Sequence, residues 1–570
     1  MRNPLTPNPI IVLKFGGSVL LDESRLRLAV HEIYRWKRDG YRVVAVVSAF
    51  AGKTDDLLSR CEKFASRDGH LARAGVVATG ELESAAFLGI HLDRAGIPAS
   101  VITPGAASFV ATGDPIDASP TSINTPLLRD ALERDGVVVF PGFVAIDERS
   151  RTVVLGRGGS DLTALFLAHA LGATECRLIK DVDGLYEFDP QRTSPPPRRF
   201  AFASYEDALN TDGSIIQHKA VRFAQANNLS FTLARFNGSR PTVIGPAQSR
   251  FDDRRDPPRR LTVALLGAGV VGGGVLDHLT HLGDHFEVVG VARRDPNSTR
   301  DLSLDVPITD DPVALASSGV DVVVEAIGDE EPARAAILAA LDSGAHVVSA
   351  NKAVLAAKWR EIQRAAQRAE RRVLASASVG GSLPVLERCA VGDIRSVRAV
   401  LNGTGNFVLE RLAAGASLGA AVSEAQFIGL AEADPSRDLD GRDALDKLVV
   451  IASTIGRTVD APRARRDTIG ANALPERGSR LRHVATLDDA GARVLLEAVA
   501  PDDPLFDLPG ESNAVVIERD DGSREIITGK GAGRWPTSES VIADLLELAR
   551  EHALRDSGVA TFVRTEVVNV

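Results

Sequence analysis

A charged stretch with adjacent prolines, Arg250 to Arg260 (RFDDRRDPPRR), divides the 570-residue chain into two halves that begin alike. After Phe251 it offers no apolar side chain to a core, and proline removes a backbone donor and restrains the residue before it, so the stretch predicts an interdomain linker. The apolar runs Ile10 to Phe15 and Leu261 to Leu266, one on each side, lead into glycines. Strand-like runs (Val43 to Val47, Val137 to Phe140, Val320 to Val324, His346 to Val348) alternate with helical patterns such as Leu162 to Leu171 and Ala333 to Leu341. That alternation predicts α/β architecture with largely parallel sheets in both halves. Beyond about Arg398, longer helices and a late β-rich segment, Ala514 to Thr528, predict a substrate domain of α+β type.

The composition, 44% hydrophobic and 25% charged, is that of a globular protein, and the length suits about four domains. A net charge of −10 leaves no basic excess to neutralise nucleic-acid phosphates. The expected partners are therefore small molecules, with no nucleic acid and no membrane, because no apolar run reaches the roughly 18 residues that span a bilayer. Cys61, Cys176 and Cys389 are odd in number and widely spaced, which supports neither a disulfide framework nor a zinc site. With no leader pattern in Met1 to Pro9, the expectation is a cytoplasmic protein. Only ten of the 66 basic residues are lysine, so arginine carries most surface charge and each lysine becomes a candidate for a point charge or a mobile proton.

In the second half, Leu261 to Leu266 is followed by Gly267, Gly269 and Gly272, a G-x-G-x-x-G turn between a strand and a helix. There Gly267, Gly269, Val270, Val271 and Gly272 would let backbone amides and a helix N-terminus approach a pyrophosphate; a purely structural turn is the plain alternative. The next strand ends at Arg293 and Arg294, guanidiniums suited to a 2′-phosphate and hence NADP(H); Asp295 keeps NAD open, and two solvated arginines remain possible. Asp321 to Glu325 and Val347 to Lys352 are further strands ending in polar residues. After Asn402, Gly403 and Thr404 comes an acidic loop, Gly429 to Asp440, running into a helix on which Asp443 and Lys447 stand i,i+4 on one face. The pair is either a surface ion pair or a proton-transfer site.

The span from about Leu261 to Leu545 resembles homoserine dehydrogenase, on the glycine turn, Asp321 to Gly328, Ser349 to Lys352, Val379 to Gly381, Asn402 to Thr404, Ala431 to Lys447, and Gly529 to Gly533 with Pro536 and Thr537. The resemblance implies Glu432 and Asp443, with Asn402 and Asp438, as substrate-binding residues, and Lys447 as the acid that protonates the carbonyl oxygen, with Lys352 beside it near the nicotinamide. It also places Ser349, Gly429 and Gly531 along the cofactor. Where the family carries a Glu that helps hold a monovalent cation, this chain has Ser376, leaving the carbonyls of Val379, Gly381 and Leu383 as candidate metal ligands.

In the first half, Lys14 precedes the glycine pair Gly16 and Gly17, and Gly156 to Thr163 puts Ser160 and Asp161 at the start of a helix, a pattern suited to phosphate and carboxylate ligands. Ile10 to Gly245 resembles the catalytic domain of aspartate kinase, within the amino-acid kinase family; Val46 to Asp55, Thr79 to Ala85, Val138 to Phe143 and Asp181 to Pro190 also match in order. The resemblance implies that Lys14 contacts the transferred phosphoryl, that Thr54, Glu81, Arg157, Ser160 and Asp161 arrange aspartate, and that Asp181, Tyr186 and Asp189 border ATP with its Mg2+. Three positions depart: a usual Thr is Lys180, a usual Arg is Gln191, and a usual Lys falls on Ser214 or Ile215. Lys180, Lys219 and Arg192 are candidate substitutes.

The implied architecture is an amino-acid kinase fold (1–249), a linker (250–260), a Rossmann dinucleotide-binding domain (261–395, with a C-terminal return near 530–555) and an α+β substrate/dimerisation domain (396–570), assembled as a homodimer or higher homo-oligomer through the dehydrogenase part. The implied function is bifunctional: ATP-dependent phosphorylation of aspartate, and NAD(P)H-dependent reduction of aspartate semialdehyde to homoserine. The alternative is a monofunctional dehydrogenase whose kinase-like half is a binding or structural module. The linker is too short for the paired ACT domains that bifunctional relatives usually carry there. Added threonine is therefore expected to leave steady-state rates of both reactions unchanged, and clear allosteric inhibition would refute that.

Overall fold

The computed structural model describes residues 9–64, 70–188, 197–211, 213–252, 259–295, 302, 305–475 and 478–556. The chain forms two compact units, whose main bodies are residues 1–93 with 98–258, and residues 259–552.

The first unit is built on a nine-stranded sheet in the order Arg250–Asp252, Arg199–Ser204, Thr242–Gly245, Phe231–Arg235, Glu175–Lys180, Ile10–Phe15, Arg42–Val47, Val137–Pro141, Ser100–Val101. Ile10–Phe15 runs parallel to both of its neighbours, with Lys14 opposite Leu178 on one side and Val46 on the other. Strands covered on both faces read as unbroken apolar runs, and here Ile11, Val12, Leu13, Phe15 and Val43 to Val47 are inaccessible to solvent. Lys14 interrupts that run at its C-terminal end. The helix Gly159–Leu171 begins with Ser160 and Asp161 buried in its first turn. A smaller four-stranded sheet, Asp117–Ser122, Val110–Asp114, Val144–Ile146 and Thr152–Val154, had no counterpart in the sequence reading.

The expected linker starts later than Arg250. Arg250–Asp252 pairs antiparallel with Arg199–Ser204, Phe251 stacks on Phe200 with ring centroids 4.6 Å apart, and Arg199 pairs with Asp252. One aromatic ring and one ion pair thus draw a highly charged segment into the sheet; positions 253–258 lie outside the described residues.

The second unit opens with a wholly parallel six-stranded sheet in the order Ile308–Thr309, Phe286–Ala292, Leu261–Leu266, Val322–Glu325, His346–Ser349, Val373–Leu374. In chain order this is 3-2-1-4-5-6, the doubly wound arrangement whose switch point lies between Leu261–Leu266 and Val322–Glu325. A second, mainly antiparallel sheet carries Ile394–Val400, Arg480–Asp488, Gly491–Val499, Ser512–Arg519 and Arg524–Lys530, edged by Arg465–Arg466. The helix Arg442–Thr454 joins the two sheets through one apolar core that includes Leu266, Val323, Leu448, Val450, Val397, Ala485 and Ile517. The C-terminal helix, which begins at Arg534, returns to the parallel sheet's layer: Arg534 pairs with Asp277 at 2.5 Å and Arg372 with Glu547 at 2.8 Å.

The hairpin of Arg480–Asp488 and Gly491–Val499 escaped the sequence reading because its core-facing side is not all apolar. Arg482 is only 1% exposed, and its guanidinium donates to Asn406 and to the carbonyls of Leu505 (3.0 Å), Phe506 (2.6 Å) and Leu508 (3.2 Å). A buried guanidinium is tolerated where its donors are satisfied.

Candidate active sites

In the first unit three charged side chains meet at the C-terminal edge of the parallel strands. Lys14 Nζ lies 2.6 Å from Asp161 Oδ1, and Lys180, the last residue of Glu175–Lys180, donates to Asp161 Oδ2 at 2.8 Å. Burial opposes the Asp161 charge, but the two ammoniums hold its carboxyl down at about 2. Burial, reinforced by Lys180 and opposed by Asp161, lowers Lys14 to about 8. Glu81, on His70–Arg94, is 3% exposed, and burial raises it to about 8 despite backbone donors and the nearby Lys14. Glycine backbone lies beside Lys14: a Cβ on Gly16 would come within 3.3 Å of Lys14 Nζ, and one on Gly17 within 3.1 Å of the Ala49 carbonyl.

Ser160 is buried beside Asp161, whereas Thr54 is half-buried in the first turn of Lys53–Glu62, and Arg157 and Asp181 are exposed. Tyr186 donates its hydroxyl to Asp183 at 2.6 Å, which with burial pushes its ionisation upward. Asp189 lies outside the described residues, as do Gln191 and Arg192.

The second unit holds the same motif in a different frame. Asp443, in the first turn of Arg442–Thr454, is 4% exposed; its Oδ1 lies 2.7 Å from Lys352 Nζ and its Oδ2 2.9 Å from Lys447 Nζ. Lys447 also donates to the Leu401 carbonyl at 2.6 Å, and Asn402 donates both to Asp443 (2.8 Å) and to Asp438 (2.7 Å). Burial works against the Asp443 charge, but Lys447 and Lys352 hold it well below the usual carboxylate range. Burial would lower Lys352, yet Asp443 outweighs it and the ammonium is raised. The i,i+4 pair is thus buried and joined by a half-exposed third member, Lys352, rather than being a surface ion pair. Glu432 and Gly429 are exposed on the loop before Asp438.

Lys352 opens the helix Lys352–Ala369. Asn351 caps it, accepting from the Val354 amide at 3.3 Å and donating to the Ile327 carbonyl at 2.7 Å. Below lies Glu325, fully buried at the end of Val322–Glu325, accepting from Ser349 Oγ (2.6 Å) and the Ile327 amide (2.7 Å). Burial outweighs these donors and raises its carboxyl to about 7. In the sequence Glu325 is marked only as an acid directly after three valines at a strand end.

The glycine turn fits a dinucleotide. Gly267 has φ +96°, and a Cβ there would meet the Ala326 carbonyl at 2.5 Å; one on Gly272 would overlap the Gly267 carbonyl. Gly269, by contrast, faces open space at the N-terminus of Val270–Leu279, where Val270 is exposed and Val271 half-buried. Arg293 is half-buried and Arg294 is exposed, the latter lying 2.6 Å from Asp329. Gly531 is buried against Asn513, where any side chain would collide.

The expected cation set fits less well. Val379 and Leu383 are buried, but the Gly381 carbonyl already accepts the Ser540 hydroxyl. Ser376 Oγ lies within hydrogen-bond reach of Glu387 and, at 2.7 Å, Asp544. The set therefore lacks the carboxylate at position 376, and one of its three carbonyls is engaged.

A doubly wound sheet with a glycine-lined turn at its switch point defines a dinucleotide-binding protein. The chain belongs to the homoserine dehydrogenase family, fused to an amino-acid kinase domain. Residues 9–233 match the Amino acid kinase family, 267–376 the NAD binding domain of homoserine dehydrogenase, and 384–546 Homoserine dehydrogenase. The homoserine dehydrogenase of Corynebacterium glutamicum is 32% identical over 354 residues, covering 56% of this chain and 79% of its own length. That of Mycobacterium tuberculosis is 34% identical over 325 residues, covering 52% and 74%. The solved structure of a homoserine dehydrogenase from Thiobacillus denitrificans, 32% identical, aligns with a TM-score of 0.49 over 53% of this chain and 76% of that one. Among the described residues no helix is long and apolar enough to cross a membrane.

Glu325 yields a pH prediction. Its folded value, near 7, exceeds the ordinary 4.5, so its contribution to stability is complete below about pH 4.5 and is lost as pH rises to about 7. Glu325→Gln removes that dependence. The variant should gain on the wild type by up to about 3 kcal/mol between those limits, read as melting temperature against pH, with no further gain above pH 7. Parallel curves would refute it.

Proposed function

We propose that the chain is a bifunctional enzyme that reduces aspartate semialdehyde to homoserine and phosphorylates aspartate on its side-chain carboxylate. The observation that carries the first activity is the Lys352–Asp443–Lys447 set, whose Asp443 and Lys447 are buried on the helix that shares its apolar core with the dinucleotide-binding sheet. Bound at the glycine turn, NADP(H) supplies the hydride. Arg293, directly after the strand Phe286–Ala292, is the guanidinium that would meet a 2′-phosphate, with NAD the second choice. An aldehyde that accepts hydride at carbon develops alkoxide charge on oxygen. Two of the three Lys447 N–H bonds go to Leu401 and Asp443, leaving one to stabilise that oxygen and give it a proton. Asp443 fixes both ammoniums, while Asn402, Asp438 and Glu432 would bind the amino-acid end of the substrate. Gly429, Ser349 and Gly531 would contribute to the cofactor's surroundings, and no step involves a cation at Val379, Gly381 and Leu383.

Support for the kinase comes from Lys14, Asp161 and the glycine backbone beside Lys14. ATP with its Mg2+ supplies the phosphoryl group. The aspartate carboxylate oxygen attacks the terminal phosphorus, the bond to the bridging oxygen breaks, and ADP leaves with the electron pair; no proton need move. The chain's part is alignment and charge neutralisation. Thr54, Glu81, Arg157 and Ser160 would arrange aspartate, with Asp181, Tyr186 and Asp189 toward the nucleotide. The monofunctional alternative retains the dehydrogenase alone.

Lys447→Ala should lower dehydrogenase kcat by about 10²–10⁴-fold while NADPH binding, read by fluorescence titration, is retained. Lys14→Ala should abolish ATP- and aspartate-dependent hydroxamate formation. Unchanged turnover in either variant would refute the corresponding role.

A further inference from the structure

We propose that Lys180 is a second phosphoryl-holding residue of the kinase site, pairing with Lys14 across Asp161 to bracket the transferred group. The inference rests on the kinase reading above and extends it to a residue that stands where the resembling family has threonine.

Lys14 and Lys180 come from the ends of adjacent parallel strands, with Phe15 opposite Ile179, so both emerge at the edge where open α/β sheets hold ligands. Asp161 receives one ammonium on each oxygen, and all three side chains are about nine-tenths buried or more. Two cations against one anion leave a net positive charge out of water. Glu81, the other acid facing Lys14, is neutral over most of the physiological range and does not cancel it. Such a charge is costly unless a ligand neutralises it, and beside Lys14 Nζ the chain presents the side-chain-free backbone of Gly16, where a Cβ would come within 3.3 Å. A phosphoryl group in flight spreads negative charge over three oxygens, more than one ammonium can meet.

Of the other two candidate substitutes, Arg192 lies outside the described residues and Lys219 is committed elsewhere. Lys219 donates to Asp117 at 2.7 Å and to the carbonyls of Ala118 (2.9 Å) and Leu155 (3.0 Å), which uses all three of its N–H bonds. Ser214 and Ile215 bring no charge.

The test uses the intact chain with Lys180→Met and Lys180→Arg, measuring aspartyl hydroxamate formation from ATP, aspartate and hydroxylamine. An ATP-induced rise in melting temperature serves as the check that the unit is folded. Lys180→Met should lower kcat roughly 10²-fold with the KM for aspartate nearly unchanged, and Lys180→Arg should restore most of the turnover. The alkaline limb of the kcat profile should move to higher pH in Lys180→Met, because Lys180 no longer depresses Lys14. A folded Lys180→Met variant with wild-type kcat, or with only a raised KM, overturns the assignment of Lys180 while leaving the kinase reading intact. If Lys180→Met does not fold, Lys180→Arg decides: turnover near wild type supports the assignment, and loss of turnover in a folded arginine variant overturns it. A wild-type chain that makes no hydroxamate overturns the kinase reading and this assignment together.

Discussion

A carboxylate buried between two ammoniums is the constraint around which both units are organised. Asp161 between Lys14 and Lys180, and Asp443 between Lys352 and Lys447, are each nearly inaccessible, and each has one lysine on either oxygen. Removing charges from water costs several kcal/mol per ion, and only mutual attraction with good geometry repays it. The surrounding fold therefore has to be rigid where these groups sit. In both units one lysine is anchored to a strand end or the helix that follows it, and the carboxylate lies in the first turn of a helix, where the helix dipole favours negative charge.

The two sets differ in what they leave over. In the first unit all three groups are buried, and the surplus positive charge faces glycine backbone, an arrangement suited to holding an anion through a transfer that moves no proton. In the second, Lys352 is 38% exposed while Lys447 is buried and tied to a carbonyl, so one ammonium is accessible and the other held still. A fixed ammonium with one spare N–H suits proton delivery to a single oxygen.

The parallel strands, both glycine turns and the i,i+4 pairing of Asp443 with Lys447 were legible because they are local: periodicity, spacing and residue type specify them without reference to distant chain. The hairpin Arg480–Asp488 with Gly491–Val499 was not legible, because its buried Arg482 looks like a surface residue until the carbonyls of Leu505, Phe506 and Leu508 are in place. The inclusion of Arg250–Asp252 in a sheet was hidden in the same way, since its partner strand lies some fifty positions earlier. Position 376 shows in the sequence only as a missing carboxylate; Glu387 reaches it from the short helix Val385–Cys389, and Asp544, 168 positions away, from the returning helix.

The sequence by itself determined the two-part plan and the family, because strand-glycine-helix motifs carry their meaning within a dozen positions. Only the tertiary structure decided which lysines come together. Lys14 and Lys180 are 166 positions apart, and Lys352 and Lys447 are 95 apart, yet each pair shares one carboxylate. The same packing decided that Glu325 and Glu81 hold their protons near neutral pH, since burial, which no residue's identity states, is what raises them. Proximity and desolvation are properties of the folded core rather than of the chain's order, and the electrostatics of both sites follow from them.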